Sequence, residues 1–198
     1  MGKVISIVGP SGVGKTTLVR VLAKTGKFST AFEGHLERPF QTLFKQDKRY
    51  GLANQIDYFL MRAEQERKLR AASQIGLMDG GLDLDFHAFT RLFLHRNLLT
   101  EPEFDLCRRL YDFIRITLPR PELFVRLVAD EETVAARLST RDRINIARSE
   151  DNAIFNVFLD EWISSLAPEQ LLKLNVSNET VLYEQSVRAI LTWLERPF

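Results

Sequence analysis

"SIVGPSGVGKTTLV", residues Ser6 to Val19, governs how the rest of the chain is read. Gly9 to Thr16 spells Gly-Pro-Ser-Gly-Val-Gly-Lys-Thr, which fits the phosphate-loop pattern G-x-x-x-x-G-K-S/T. The flanks supply the context such a loop needs. Val4, Ile5, Ile7 and Val8 form a short β-branched run, the mark of a buried strand. From Thr16 to Ala23, Leu18, Val19, Val21 and Leu22 recur at helical spacing, and Gly26 is placed to stop that helix. Gly9, Gly12 and Gly14 permit turns that side chains would block, so backbone N–H groups can converge on an anion. The helix N-terminus adds positive potential at the same spot. Gly9, Pro10, Ser11, Gly12, Val13, Gly14, Lys15, Thr16 and Thr17 are therefore the expected cradle of a nucleotide's phosphates. Lys15 is placed to reach the β and γ phosphates, and the Thr16 hydroxyl to sit on Mg²⁺.

The totals narrow the class. The chain has 198 residues, 45% hydrophobic and 27% charged, which suffices for one α/β domain with a real core. A net charge of +1 implies no surface for a nucleic-acid polymer. Arginine outnumbers lysine 19 to 8, a bias that suits bidentate phosphate contacts. The single cysteine, Cys107, allows neither a disulfide framework nor a cysteine metal cluster. No apolar run reaches membrane length and no signal peptide is read at the start, so a cytoplasmic protein without a membrane partner is expected. Met1-Gly2 with Ser6 fits the myristoylation pattern, but residues 3–8 are needed as the first core strand.

Strand and helix patterns alternate along the chain, with no repeat and no linker. That argues for one three-layer α/β domain over 1–198 with a mostly parallel sheet. Strands are expected at Ser29–Glu33, Ser73–Asp79, Leu123–Ala129 and Leu171–Val176. Pro39 opens a helix to about Gln46, and a long helix runs from Tyr50 to Ala72. The charge run in its second half, "RAEQERKLR", reads as a solvated face. Further helices are expected at Phe86–Leu99, at Glu131–Ser139, at Ala153–Leu166 and at Glu179–Leu194. Thr100 with Glu103 makes a capping box for another, through about Thr117.

A phosphate loop alone does not say where the phosphate goes. A GTPase would need N-K-x-D and D-x-x-G, and neither is present. The apolar strand "IGLMD" ends in Asp79, where a second Mg²⁺-orienting carboxylate is expected. "RLSTRDRINIARSED", Arg137 to Asp151, holds Arg137, Arg141, Arg143 and Arg148 between two helices. Such a basic segment, with its lid portion at about 140–151, can close over a triphosphate and neutralise the transferring group. Glu33, after a strand and across from the loop, is placed to accept a proton from an acceptor hydroxyl. These residues point to a small kinase using ATP and Mg²⁺. A kinase of some other small molecule remains a second reading, and a nucleotide-binding protein without catalysis a third.

The residues resemble the deoxynucleoside kinase family, in particular its bacterial deoxyadenosine/deoxyguanosine kinase branch, from about Lys3 to Trp162. "FEGHLERPFQTLFKQDKRYGLANQIDYFLMR", Phe32 to Arg62, is similar to the family's glutamate, helix and glutamine. By that likeness Glu33 falls on the general base for the sugar 5′-hydroxyl, and Gln55 on the reader of the base edge. "MDGGLDLDFHAF", Met78 to Phe89, lies without a gap on the family's D/E-R-S motif and the aspartate and I-F beyond it. "TEPEFDLCRRLYDFIRITLPRPELFVRLVADEETVAARLSTRDR" matches its helix, strand, helix and lid. The resemblance implies a P-loop kinase fold with a five-stranded parallel sheet flanked by helices, a nucleoside-like acceptor, and a homodimer through Phe86–Leu99 and Ala153–Leu166. Of the aromatic side chains, Phe40, Phe44, Tyr58, Phe59, Phe86 and Phe89 are the candidates to flank the base.

Three departures stand out. The family's arginine after Asp79 is replaced by Gly80. Its tyrosine for the sugar 3′-hydroxyl falls on Phe44, which has no hydroxyl. Its lid carboxylate falls on Asn145 and Ile146 in one register, or on Glu150 or Asp151 if "ARSED" is the family's R-S-E-E. Arg38 and Arg62 are the candidates to supply the missing charge from another direction, and an altered acceptor preference is expected.

Overall fold

The computed structural model describes residues 2–32, 38–139 and 151–195; Glu33, Arg141, Arg143, Arg148 and Glu150 lie outside that set. Strand β1 (Val4–Val8) is buried at every position, as a continuous apolar run requires of a strand covered on both faces. It is the middle of a five-stranded sheet with β2 (Phe28–Ala31), β3 (Ile75–Asp79), β4 (Leu123–Val128) and β5 (Leu171–Asn175). The order is β2-β3-β1-β4-β5, and all four pairings are parallel. The fold is the expected three-layer α/β arrangement.

One face of the sheet carries α1 (Lys15–Ala23) and α9 (Glu184–Leu194). Leu18, Val19 and Leu22 meet Ile5, Ile7, Leu77 and Val125 there, with Ile190 and Trp193 closing the layer. The other face carries α3 (Gly51–Ala71), α6 (Glu101–Thr117), α8 (Asp151–Ser164) and a helical stretch over 82–95. Phe155, Leu159 and Trp162 of α8 pack with Phe124 and Val8. Phe59 and Phe86 pack with Cys107, Tyr111 and Ile114 of α6.

Three expectations shift. The stretch 82–95 begins at Leu82 rather than Phe86, because Gly80 and Gly81 (φ 80° and 139°) turn the chain directly out of β3. It starts as α4 (Leu82–Leu84), widens into a π-helical turn at Asp85–Thr90, and resumes as α5 (Arg91–His95). It ends early because Asn97 takes a left-handed conformation (φ 54°) and Leu98 N–H returns to the Phe93 carbonyl at 2.8 Å. The last helix begins at Glu184, not Glu179, since Tyr183 is itself left-handed (φ 49°). The capping box of Thr100 and Glu103 is present, with Thr100 N–H donating to Glu103 at 2.7 Å.

The charge run in α3 is the largest correction. Arg62, Glu66 and Arg70 are 1%, 0% and 5% exposed, while Glu64, Arg67 and Lys68 face solvent. Spacing of four puts the first three on one inward stripe, and each has partners from distant elements. Glu66 accepts from Arg115 of α6 and from Arg70, and Arg70 also donates to the carbonyls of Gly2, Pro119 and Arg120. A charge is tolerated inside when it is paired and hydrogen-bonded. Burial pushes the Glu66 carboxyl up to about 7, against the pull of Arg115 and Arg70.

Candidate active site

The site lies where an open parallel sheet binds ligands, outside the carboxyl ends of its strands. β1 runs directly into the phosphate loop, and α1 leaves it with Gly14 at its N-cap (φ 110°). The loop's shape is reinforced from behind. Arg137, in the last turn of α7 (Glu131–Ser139), donates to the Val13 carbonyl at 2.8 Å and to the Val176 carbonyl at 3.0 Å. Its guanidinium also lies over the Tyr183 ring, 5.9 Å from the centroid. The Tyr183 hydroxyl fills the space above Gly14: a Cβ there would stand 1.9 Å from it. Arg137, expected among the nucleotide-binding residues, thus sits against the loop. Tyr183 carries no sequence signal, because its position depends on an irregular turn after β5.

Lys15 is 9% exposed, and its ammonium donates to the carbonyls of Gly9 and Pro10 at 2.9 and 3.0 Å. Pairing of Ile7 with Asp79 brings the ends of β1 and β3 level. The Thr16 hydroxyl accordingly donates to Asp79 Oδ2 at 2.5 Å. A hydroxyl beside a buried carboxylate is a donor set for a hard cation, which Mg²⁺ completes with phosphate oxygens rather than a protein cage. Among the described residues no group of three or more His, Cys, Asp or Glu could hold a metal ion.

The acceptor side is built from side-chain pairs. Gly80, where the resembled family has an arginine, has φ 80°, and a Cβ there would lie 3.2 Å from Arg62 Nη2. Arg62 reaches that space from α3, donating to the Asp79 carbonyl at 3.1 Å and to Asp85 Oδ2 at 3.0 Å. Of the two candidates for the missing charge, Arg62 is therefore the one beside the end of β3. Arg38 is occupied by Asp57, with both contacts at 2.5 Å. Gln55 is 4% exposed, and its Oε1 accepts from the Thr90 hydroxyl at 2.8 Å. Thr90 Oγ1 also lies 2.9 Å from the Asp85 carbonyl, five residues back across the π-helical turn. The widened turn thus ties Gln55, Thr90, Asp85 and Arg62 together, a link no local spacing reveals.

Phe44 and Phe86, read as substrate-flanking, are core members. Phe44 is stacked on Phe93 at 5.0 Å with the Lys48 ammonium 4.2 Å from its ring centroid. Phe86 is stacked on Tyr111 at 4.3 Å and is 7% exposed. Behind them, Asp83 accepts from Tyr111 at 2.8 Å and from Arg115 at 2.5 Å, and His87 meets the Tyr111 hydroxyl at 3.2 Å. Burial lowers the His87 pKa to about 4.

Comparison with known proteins agrees with this geometry. The family model "Deoxynucleoside kinase" matches residues 5–194. A deoxyadenosine/deoxycytidine kinase of Bacillus subtilis (strain 168) is 23% identical over 189 residues, covering 92% of this chain and 87% of that protein. A deoxyguanosine kinase of the same organism is 24% identical over 140 residues, covering 70% and 67%. Among solved structures, deoxyadenosine kinase from M. mycoides with bound dATP superposes with a TM-score of 0.78 at 18% identity, over 98% of this chain and all of that one.

Proposed function

This chain belongs to the deoxynucleoside kinase family, and from that premise we propose how its residues transfer phosphate from ATP to the hydroxyl of a nucleoside or deoxynucleoside-like acceptor. The observation that carries the assignment of roles is the convergence of Lys15, Thr16 and Asp79 at the ends of β1 and β3, with the Arg62 guanidinium filling the space at Gly80. The backbone from Gly9 to Thr17 cradles the phosphates. Thr16 and Asp79 would hold Mg²⁺, which would supply neutralisation of charge on the phosphate oxygens. Lys15 balances charge on the β and γ groups.

Glu33, two residues past the end of β2, takes the proton from the acceptor hydroxyl. The oxygen so released bonds to the γ-phosphorus, and the bond to the β-γ bridging oxygen breaks, leaving ADP. Arg141, Arg143 and Arg148 of the lid neutralise the group in flight, Glu150 contacts the sugar, and Gln55 reads the base edge. The two Bacillus relatives act on purine and cytosine deoxynucleosides by name, which favours that class of acceptor here. The reading includes a cytoplasmic homodimer joined through 86–99 and 153–166, where Val157 is 49% exposed. Light scattering at micromolar protein should give twice the chain mass.

The deciding experiment is an ATP-consumption assay against a panel of nucleosides and small alcohols. Glu33→Gln should suppress transfer by about 10²–10⁴ with ATP binding nearly unchanged. Lys15→Ala should lose turnover in every case. Full ATPase activity without an acceptor, or a Glu33→Gln enzyme as fast as wild type, would sink the proposal.

A further inference from the structure

Asn54 stands one residue before Gln55 on α3 and is 1% exposed. Neither Oδ1 nor Nδ2 has a hydrogen-bond partner, and among the described residues no other side chain is orphaned at both ends. Burying an amide unpaired is costly, and native proteins accept it mainly where a ligand or an ordered water completes the bonding.

Its place on the helix says which. Asn54 and Gln65 are eleven residues apart, so on an α-helix of 3.6 residues per turn they share one face to within about 20°. Gln65 donates to the carbonyl of Phe32 at 3.0 Å, so this face looks toward the exit of β2, the segment that leads into Glu33. The neighbouring face carries Gln55 and Arg62, whose heads are already engaged by Thr90 and Asp85. Asn54 lies on the Gln65 face, about three turns nearer the start of α3, and is the polar head there whose bonds the chain itself leaves unmade.

We propose that Asn54 is a further acceptor-binding residue, recognising a base edge that presents one hydrogen-bond donor beside one acceptor. A carboxamide offers one carbonyl and one NH₂ and so complements an amide-like or amidine-like edge bidentately. Adenine at N6 with a ring nitrogen, cytosine at N4 with N3, and the corresponding keto edges of guanine and thymine all qualify. The two-acceptor N7/O6 edge of guanine does not. This inference rests on the kinase reading for the presence of a nucleoside in the cleft.

The test compares full-length wild type with Asn54→Leu, which keeps volume and removes both polar atoms. Calorimetry with MgADP present measures Kd for the deoxynucleoside that binds best. It also measures the analogue lacking the exocyclic group of that base, purine 2′-deoxyriboside or its pyrimidinone counterpart. In wild type the missing group should weaken binding about tenfold or more, and Asn54→Leu should lose a similar factor for the parent nucleoside. The two losses should not add, because each removes the same contact. The KM for ATP should stay put, and the variant without nucleoside should melt no lower than wild type, since an unpaired amide is exchanged for an apolar group.

Equal discrimination between parent and analogue in the two proteins overturns the inference, as does a lower melting point for Asn54→Leu without nucleoside, the sign of a structural water on the amide. If nucleosides bind but are never phosphorylated, the kinase reading fails while the binding cycle still decides Asn54. A wild type that binds no nucleoside overturns both.

Discussion

The phosphate loop and the inward stripe of α3 are made differently. The loop is mostly backbone: three glycines of positive φ, with Arg137 and Tyr183 propping it from behind. The stripe is side chain: Gln55 on Thr90, Arg62 on Asp85, and Glu66 on Arg115. A backbone cradle depends on conformations only glycine adopts without strain, so its sequence is nearly forced. A side-chain pair can be replaced by another pair reaching from elsewhere, as Arg62 reaches the space at Gly80.

The most damaging change to the side-chain half should be Arg62→Met. It removes the partner of a buried Asp85, 5% exposed, and breaking such a pair costs about 3–5 kcal/mol. Adding Asp85→Leu should recover much of the stability, as measured by chemical denaturation, while leaving acceptor affinity lost. If the double variant is no more stable than Arg62→Met, the two residues do not act as a pair.

The backbone half should break next. Gly14→Ala sets a methyl against the Tyr183 hydroxyl and a side chain at φ 110°, conditions that cost about 1–3 kcal/mol from strain alone. ATP affinity should fall by roughly 10- to 100-fold, with the fold retained by circular dichroism. Tyr183→Phe in the same chain should restore part of it, because the hydroxyl is the nearest atom to the new methyl. No recovery would show that Tyr183 does not set the loop.

A smaller effect sharpens the contrast through pH. His87 is held near 4 against its ordinary 6.5 by burial between α6 and α8, stacked on Trp162 at 5.1 Å. Between those values the unfolded His87 binds more protons than the folded one, so its contribution to stability falls as pH drops from 6.5 toward 4, while Glu66, raised to about 7, contributes with the opposite sign above 4.5. The full shift would be worth about 3 kcal/mol, and partial exposure of the ring reduces that to about 1–2 kcal/mol. His87→Phe should remove that share, so that acidification across the window lowers the denaturation midpoint less than in wild type. An identical slope in both proteins would place the acid sensitivity elsewhere.

Much of the molecule is legible in the chain alone. Gly9 to Thr16, the β-branched run before it and Asp79 at the end of "IGLMD" suffice for the loop, the parallel sheet and the Thr16–Asp79 contact. What misleads is "RAEQERKLR", because charge density suggests solvent, while burial depends on whether Arg115 and Glu122 arrive from 45 or more residues away. For Phe44 and Phe86 the sequence leaves the place open, since an aromatic at helical spacing looks the same whether it lines a pocket or fills a core; both are buried in the cluster around α6.

The sequence by itself determined the nucleotide half, for a physical reason: a phosphate cradle needs glycine conformations, a lysine and a hydroxyl at fixed chain separations, so local order carries it. Tertiary structure decided that Arg62, of the two candidates, lies beside Gly80, that the Gln55 amide meets Thr90, and that Asn54 is buried without a partner. Those facts are set by which helices meet, through a π-helical turn that no spacing rule specifies.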